Sequence, residues 1–214
     1  GIMKAVVILA YIENYDQEFV MSQLHDADLT ICADGGQTIA KKYNITPDVV
    51  IGDFDSSNDR LFNCEYVTYP SEKDITDAEA CALYCIDHNV DNLTFIGGIG
   101  GRLDHTLGAL SMLLKFNNNF NNLCLIDKKN KAQVLASDSE TVIHKTDFYK
   151  YFSIVPVNDS ISGLSIKGAK YELSDTFLPK ASTLCISNEI ASESEYATIK
   201  ICSGPAYIIQ SSDF

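Results

Sequence analysis

The sequence predicts an α/β domain with a mostly parallel sheet, followed by an all-β domain of sandwich type. Two observations carry this. Over the first 135 residues, short apolar runs alternate with stretches of helical periodicity, the pattern of a sheet covered on both faces. Beyond that point the runs become short, close-set and rich in Val, Ile, Tyr and Thr. They are separated by Gly, Pro, Asn, Asp and Ser and leave no helical period of useful length, which predicts antiparallel strands.

In the first domain the strand candidates are AVVILA (5–10), LTICA (29–33), DVVIG (48–52), EYVTYP (65–70), NLTFIGG (92–98) and NLCLID (122–127). Helical patterns lie around 16–25, 36–43, 76–88 and 103–116. Thr76 with Glu79 three residues on forms a capping box that starts the third helix. Leu103, Leu107, Leu110 and Leu114 share one face of the fourth, so Asp104 and His105 point elsewhere. TVIHK, YKYFSIVPV, ISGLSIKG, STLCISNEI, YATIKICSG and AYIIQSS are the strand candidates of the second domain. The boundary is expected in ASDSE, giving domains 1–136 and 137–214.

Composition narrows the function. Sixteen basic against 29 acidic residues give a formal net charge of −13. Such a chain has no general attraction for phosphate backbones or anionic membranes, which disfavours a polynucleotide-binding module. No apolar run reaches the roughly 18 residues that span a bilayer, and the apolar N-terminal stretch reads as a first strand rather than a signal peptide. The seven cysteines form no Cys-x-x-Cys pair and sit mostly in apolar stretches. They read as small buried hydrophobes in a reducing cytoplasm rather than as zinc ligands or disulfides.

The chemistry lies on strand-to-helix loops, where ligands of open α/β sheets bind. CADGG places Asp34 and two glycines after the second strand, and GDFDS places Asp53 and Asp55 after the third. YPSEKDITDAE supplies Lys73, Asp74 and Asp77, and IGGIGGRLDH supplies four glycines, then Arg102, Asp104 and His105. Singly, each motif suits a turn or a helix start. Together, so many carboxylates along one sheet edge repel one another unless a cation sits among them, and Mg2+ prefers such oxygens while keeping positions for substrate phosphates. Glycines 97, 98, 100 and 101 let backbone N–H groups approach a phosphate, while Arg102 and Lys73 offer cationic partners. This set of parts points to phosphoryl transfer. No Walker A lysine-serine pair occurs, and GGIGGR is not a clean dinucleotide fingerprint.

ADGG, PDVVIGDFDS, PSEKDITDAE and GGIGGRLDH, in this order, resemble the thiamine pyrophosphokinase family, and the likeness continues through YFSIVPV, GLSIKGAKYEL and CISNE. The resemblance implies transfer of a diphosphoryl group from ATP to the hydroxyl of thiamine, with release of AMP. It also implies a homodimer with thiamine held between subunits. Asp53, Asp55, Asp74 and Asp77 match the metal and phosphate acids, Asp34 and Gly35 the ADGG loop, and Arg102 the phosphate-binding arginine. Asp104 matches the acid that follows, Lys73, Gly100, Gly101 and His105 fall at the nucleotide, and Ser187 and Asn188 match the thiamine contact region. Two departures stand out. The first strand runs into LAYIENYD where a glycine-rich turn is expected, and the absence of Trp leaves any aromatic contact with thiamine to Tyr or Phe. The rival readings are a diphosphokinase acting on a hydroxymethyl-pterin and a non-catalytic sensor of nucleotide or thiamine.

Overall fold

The computed structural model describes residues 1–13, 16–54, 60–69 and 74–213. The chain divides into two compact units, Gly1–Lys128 and Lys129–Phe214.

The first unit is a six-stranded sheet in the order β6-β5-β1-β2-β3-β4, and every pairing in it is parallel. Its strands are β1 (Lys4–Ile8), β2 (Leu29–Ala33), β3 (Val49–Gly52), β4 (Glu65–Thr68), β5 (Asn92–Ile96) and β6 (Asn122–Ile126). Between them run α1 (Gln17–Leu24), α2 (Gly36–Lys42), α3 (Asp77–Asp87) and α4 (Leu103–Phe116). The apolar runs sort by parity. Val6, Ile8, Cys32, Val50, Ile96 and Ile126 share one core with Phe19 and Val20 of α1 and Ile39 and Ala40 of α2. Helices α3 and α4 pack on each other, α3 against β2 and β3 and α4 against β6. Period-two burial on strands whose faces are both covered explains why these runs are continuously apolar.

Helix ends follow local chemistry. Thr76 Oγ1 accepts the Glu79 N–H at 3.1 Å, the cap expected of the Thr-x-x-Glu pair. Asp16 Oδ1 accepts the Phe19 N–H at 2.9 Å and starts α1. In α4 the buried residues are Met112, Leu113 and Phe116. The leucine stripe is not the core face, for Leu103 is 71% and Leu107 56% exposed. All seven cysteines are free thiols. Cys32, Cys81, Cys85 and Cys185 are buried, and burial pushes the Cys32 and Cys85 thiols up to about 12.

The second unit is an antiparallel sandwich. One sheet runs β12-β9-β14-β7 and the other β11-β10-β13-β8. The strands are β7 (Asn130–Leu135), β8 (Ser139–His144), β9 (Tyr151–Pro156), β10 (Ser160–Lys167), β11 (Leu173–Pro179), β12 (Asn188–Glu189), β13 (Tyr196–Ile201) and β14 (Ala206–Ser211). Leu135, Phe152, Ile154 and Ile208 from one sheet meet Ile143, Ile161, Leu164, Ile166, Ile199 and Ile201 from the other in a single core. The division at 128/129 lies ahead of the expected 136–140 stretch because β7 pairs with β14 over its whole length, Asn130 to Leu135.

Candidate functional site

The carboxyl ends of β2 and β3 bring the first acids together. Asp34 follows β2 and Asp53 follows β3. A Cβ on Gly52 would lie 2.8 Å from the Asp34 Cβ, so glycine is what lets these two loop starts touch. Burial raises the Asp34 carboxyl above its ordinary range, and the charges of Asp77 and Asp53 push it the same way, against a hydrogen bond from Gln37. Asp77 opens α3, and one of its carboxylate oxygens accepts a short hydrogen bond from the Tyr69 hydroxyl just beyond β4. Burial, then the bond and charge of Asp77, hold that phenol well above its usual value, with Asp53 adding to the effect. Asp34, Asp53, Asp77 and Tyr69 thus form one electrostatic cluster. Asp74 is exposed, three residues ahead of Asp77. Asp55 and Lys73 lie outside the described residues.

Two supporting groups had no distinctive pattern in the sequence. Gln37, 3% exposed, donates from Nε2 to the Asp34 carbonyl (3.1 Å) and carboxylate (3.2 Å). Its Oε1 accepts from the Tyr66 hydroxyl (2.7 Å) and the Leu61 N–H (3.3 Å). Phe54 has φ +58, a left-handed conformation uncommon for a bulky residue, and its ring packs on Tyr66 with centroids 5.6 Å apart. The left-handed backbone of Phe54, directly after Asp53, is therefore held by tertiary packing.

The second cluster lies where strand order reverses, between β1 and β5. Gly97, Gly98, Gly100 and Gly101 all adopt positive φ. Arg102 lies against Asp104 in a two-pronged pair, Nε to Oδ1 at 3.1 Å and Nη2 to Oδ2 at 2.6 Å. That bonding lowers the Asp104 carboxyl and raises the guanidinium. The His105 N–H also donates to Asp104 Oδ1, at 3.0 Å, and the His105 side chain is exposed. Gly35 serves packing in this structure: a Cβ there would lie 2.6 Å from the Ala10 Cβ.

In the second unit, Asn188 is 5% exposed, and its amide is bonded to its own backbone surroundings. Oδ1 accepts the Tyr171 N–H (3.1 Å) and the Glu189 N–H (2.9 Å), while Nδ2 donates to the Tyr171 carbonyl (2.9 Å). The exposed Ser187 has φ +64, and its N–H donates to Ser153 Oγ at 3.0 Å. Asn188 thus clamps the backbone of Tyr171, a residue 61% exposed.

Hard carboxylate oxygens make a donor set suited to Mg2+, which takes one or two carboxylates and completes its sphere with water and phosphate. Among the described residues, no three His, Cys, Asp or Glu side chains converge into a closed metal cage.

Comparison with known proteins supplies the family. Residues 20–125 match the family model of the thiamin pyrophosphokinase catalytic domain, and residues 140–204 that of the thiamin pyrophosphokinase vitamin B1 binding domain. The thiamine pyrophosphokinase of Bacillus subtilis is 31% identical over 191 residues, covering 86% of this chain and 88% of that protein. A crystal structure of the Bacillus subtilis thiamine pyrophosphokinase superposes with a TM-score of 0.84 at 28% identity, covering 98% of this chain and all of the other. One from Geobacillus thermodenitrificans gives 0.84 at 25% identity, covering 99% and 98%. With matches running through both units and its acid motifs on the loops beyond the parallel strands, the chain belongs to the thiamine pyrophosphokinase family.

Proposed function

We propose that this chain transfers the diphosphoryl group of ATP to the hydroxyl of thiamine, forming thiamine diphosphate and AMP. The observation that carries the reading is the Asp34–Asp53–Asp77 cluster at the carboxyl edge of a parallel sheet, in a chain of this family. Asp53 and Asp77, with Asp74 nearby in sequence and Asp55 outside the described residues, would hold Mg2+, whose charge offsets the negative charge that grows on phosphate oxygens. Arg102 turns its guanidinium from Asp104 to phosphate, an exchange of one oxyanion for another at an exposed site. Gln37 fixes the Asp34 carboxylate, and Tyr69 fixes that of Asp77, so neither has to be reoriented when nucleotide arrives. The carboxylates of Asp77 and Asp104 are the groups available to accept the proton of the attacking hydroxyl.

Thiamine recognition falls to the second unit. Ser187 and the Tyr171 ring are exposed there, and Asn188 acts as the clamp that sets the position of Tyr171. A planar phenol suits stacking on an aromatic, cationic substrate. The functional form is a homodimer: Leu103 and Leu107 offer apolar surface on α4, which a second copy would cover. Seven free thiols suit a reducing cytoplasm, and no helix among the described residues is long and apolar enough to cross a membrane.

The test is to incubate the protein with ATP, Mg2+ and thiamine and resolve the nucleotide products. AMP formed in step with thiamine diphosphate is expected. ADP would replace the reading with an ordinary kinase. AMP formed only when a hydroxymethyl-pterin replaces thiamine would move the chain to that alcohol. Nucleotide binding without turnover would leave a sensor.

A further inference from the structure

In the turn after β5, every glycine N–H is already bonded. Gly97 donates to the Ile126 carbonyl and Gly98 to the Tyr11 carbonyl, both at 2.8 Å. Gly100 donates to Thr106 Oγ1 at 3.1 Å, and that hydroxyl donates back to the Gly100 carbonyl at 3.3 Å. Gly101 donates to Glu13 Oε1 at 3.3 Å. The first two partners are backbone atoms fixed by the fold, and the third closes the start of α4. Only the fourth is an exposed carboxylate on a side chain that can swing away.

That carboxylate does more than accept one bond. A Cβ on Gly100 would lie 2.0 Å from Glu13 Oε2, so the second oxygen fills the hollow of the turn. The Tyr11 hydroxyl lies 3.4 Å from Oε1 and steadies the same group. An oxyanion set against a positive-φ glycine turn with an N–H aimed at it is how such turns hold phosphate. Here the anion is supplied by the loop after β1, where a glycine-rich turn was expected.

We propose that Glu13 is an internal anion occupying the phosphate position of the Gly100–Gly101 turn, so that nucleotide enters only as this carboxylate leaves. The proposal rests on the reading of that turn as the phosphate site. Glu13 is an affinity-setting residue and takes no part in the chemistry. The contacts with the Gly101 N–H and the Tyr11 hydroxyl are long for their type and lie at the surface, so the barrier it sets is small. Removing it also removes a like charge beside the incoming phosphates. Together these give about a fivefold change in ATP affinity, equivalent to about 1 kcal/mol.

The experiment is calorimetric titration of the whole protein with MgATP in the absence of thiamine. The variants are Glu13→Gln, Glu13→Ala and, as a control for net charge, Asp87→Asn at the exposed C-terminal end of α3. Both Glu13 variants should bind MgATP about fivefold more tightly than wild type. The gain should fade toward 0.5 M salt, and Asp87→Asn should bind as wild type does. Unchanged or weaker binding by the Glu13 variants, with wild type still binding MgATP, overturns the proposal and leaves the proposed function standing. Equal tightening in Asp87→Asn also overturns it, since net charge alone would then be responsible. Failure of every form to bind MgATP removes the reading of the turn as a phosphate site, and the proposal with it.

Discussion

Gln37 offers the sharpest test of how the acid cluster is held. Replacing it by leucine keeps most of its volume and deletes the amide. Four contacts go with it: those to the Asp34 carbonyl and carboxylate, the Tyr66 hydroxyl and the Leu61 N–H. Each neutral bond contributes roughly 1 kcal/mol net and the one to the carboxylate somewhat more, while the extra apolar burial returns a part, so Gln37→Leu should cost about 2–3 kcal/mol. For a unit of this size that is a fall in melting temperature of roughly 5–15 °C. Gln37→Glu gives the pH signature. It sets a second carboxyl against Asp34, whose folded-state pKa is already raised by burial and by Asp77. A carboxyl with a raised folded pKa contributes stability below its unfolded value and loses it as pH rises through the folded one. The deficit of Gln37→Glu against wild type should therefore widen from pH 5 to pH 8. Circular-dichroism melts across that range measure both effects. Melting temperatures of both variants within 2 °C of wild type at pH 8 would show that the network does not hold Asp34, and the argument for its orientation would fail.

Two further outcomes follow from the same kind of reasoning. Asn188→Ala leaves the Tyr171 N–H and carbonyl without the clamp, so it should cost about 2 kcal/mol in stability. It should also raise the KM for thiamine while leaving that for ATP unchanged, as steady-state kinetics with each substrate varied will report. Asp16 is held below the ordinary carboxylate range by its bond to Lys128 at 2.7 Å and by the Phe19 N–H. Its contribution is present above the unfolded pKa and lost as pH falls through the folded one. Asp16→Ala should thus lower the melting temperature at pH 7 and converge on wild type in strong acid.

The first unit was almost wholly legible, because a parallel sheet covered on both faces writes its inner strands as apolar runs, and only the edge strand β4, EYVT, departs from that pattern. The second was legible only in outline. β11 runs along a sheet edge with most of its residues exposed and a positive φ at Asp175, so LSDTFLP carries no apolar alternation. STLCISNEI has an apolar run at Leu184, Cys185 and Ile186 yet is strand only at Asn188–Glu189, since the stretch before it turns back through Ser187. At the site, the sequence pointed to acids and glycines by type and position. It could not show that the Asn188 amide faces a backbone, that Gln37 reaches across to Tyr66, or that the glycine turn already holds a carboxylate. Those facts depend on contacts between segments far apart in the chain. The leucine stripe on α4 misled for a related reason: helical period identifies an apolar face, but not what covers it.

The central place of β1 also bears on how the chain leaves the ribosome. Of the six strands of this sheet β1 is made first, and it is flanked by one neighbour close in sequence and one remote. The Lys4 N–H meets Asp28 across 24 residues, whereas the Met3 N–H meets Asp91 across 88. At ordinary rates of synthesis the two partners emerge roughly 3–13 s apart. Through that interval one flank of a strand buried from Ala5 to Ile8 stands open, which makes the nascent half-sheet a natural client for chaperones and gives slow translation no advantage.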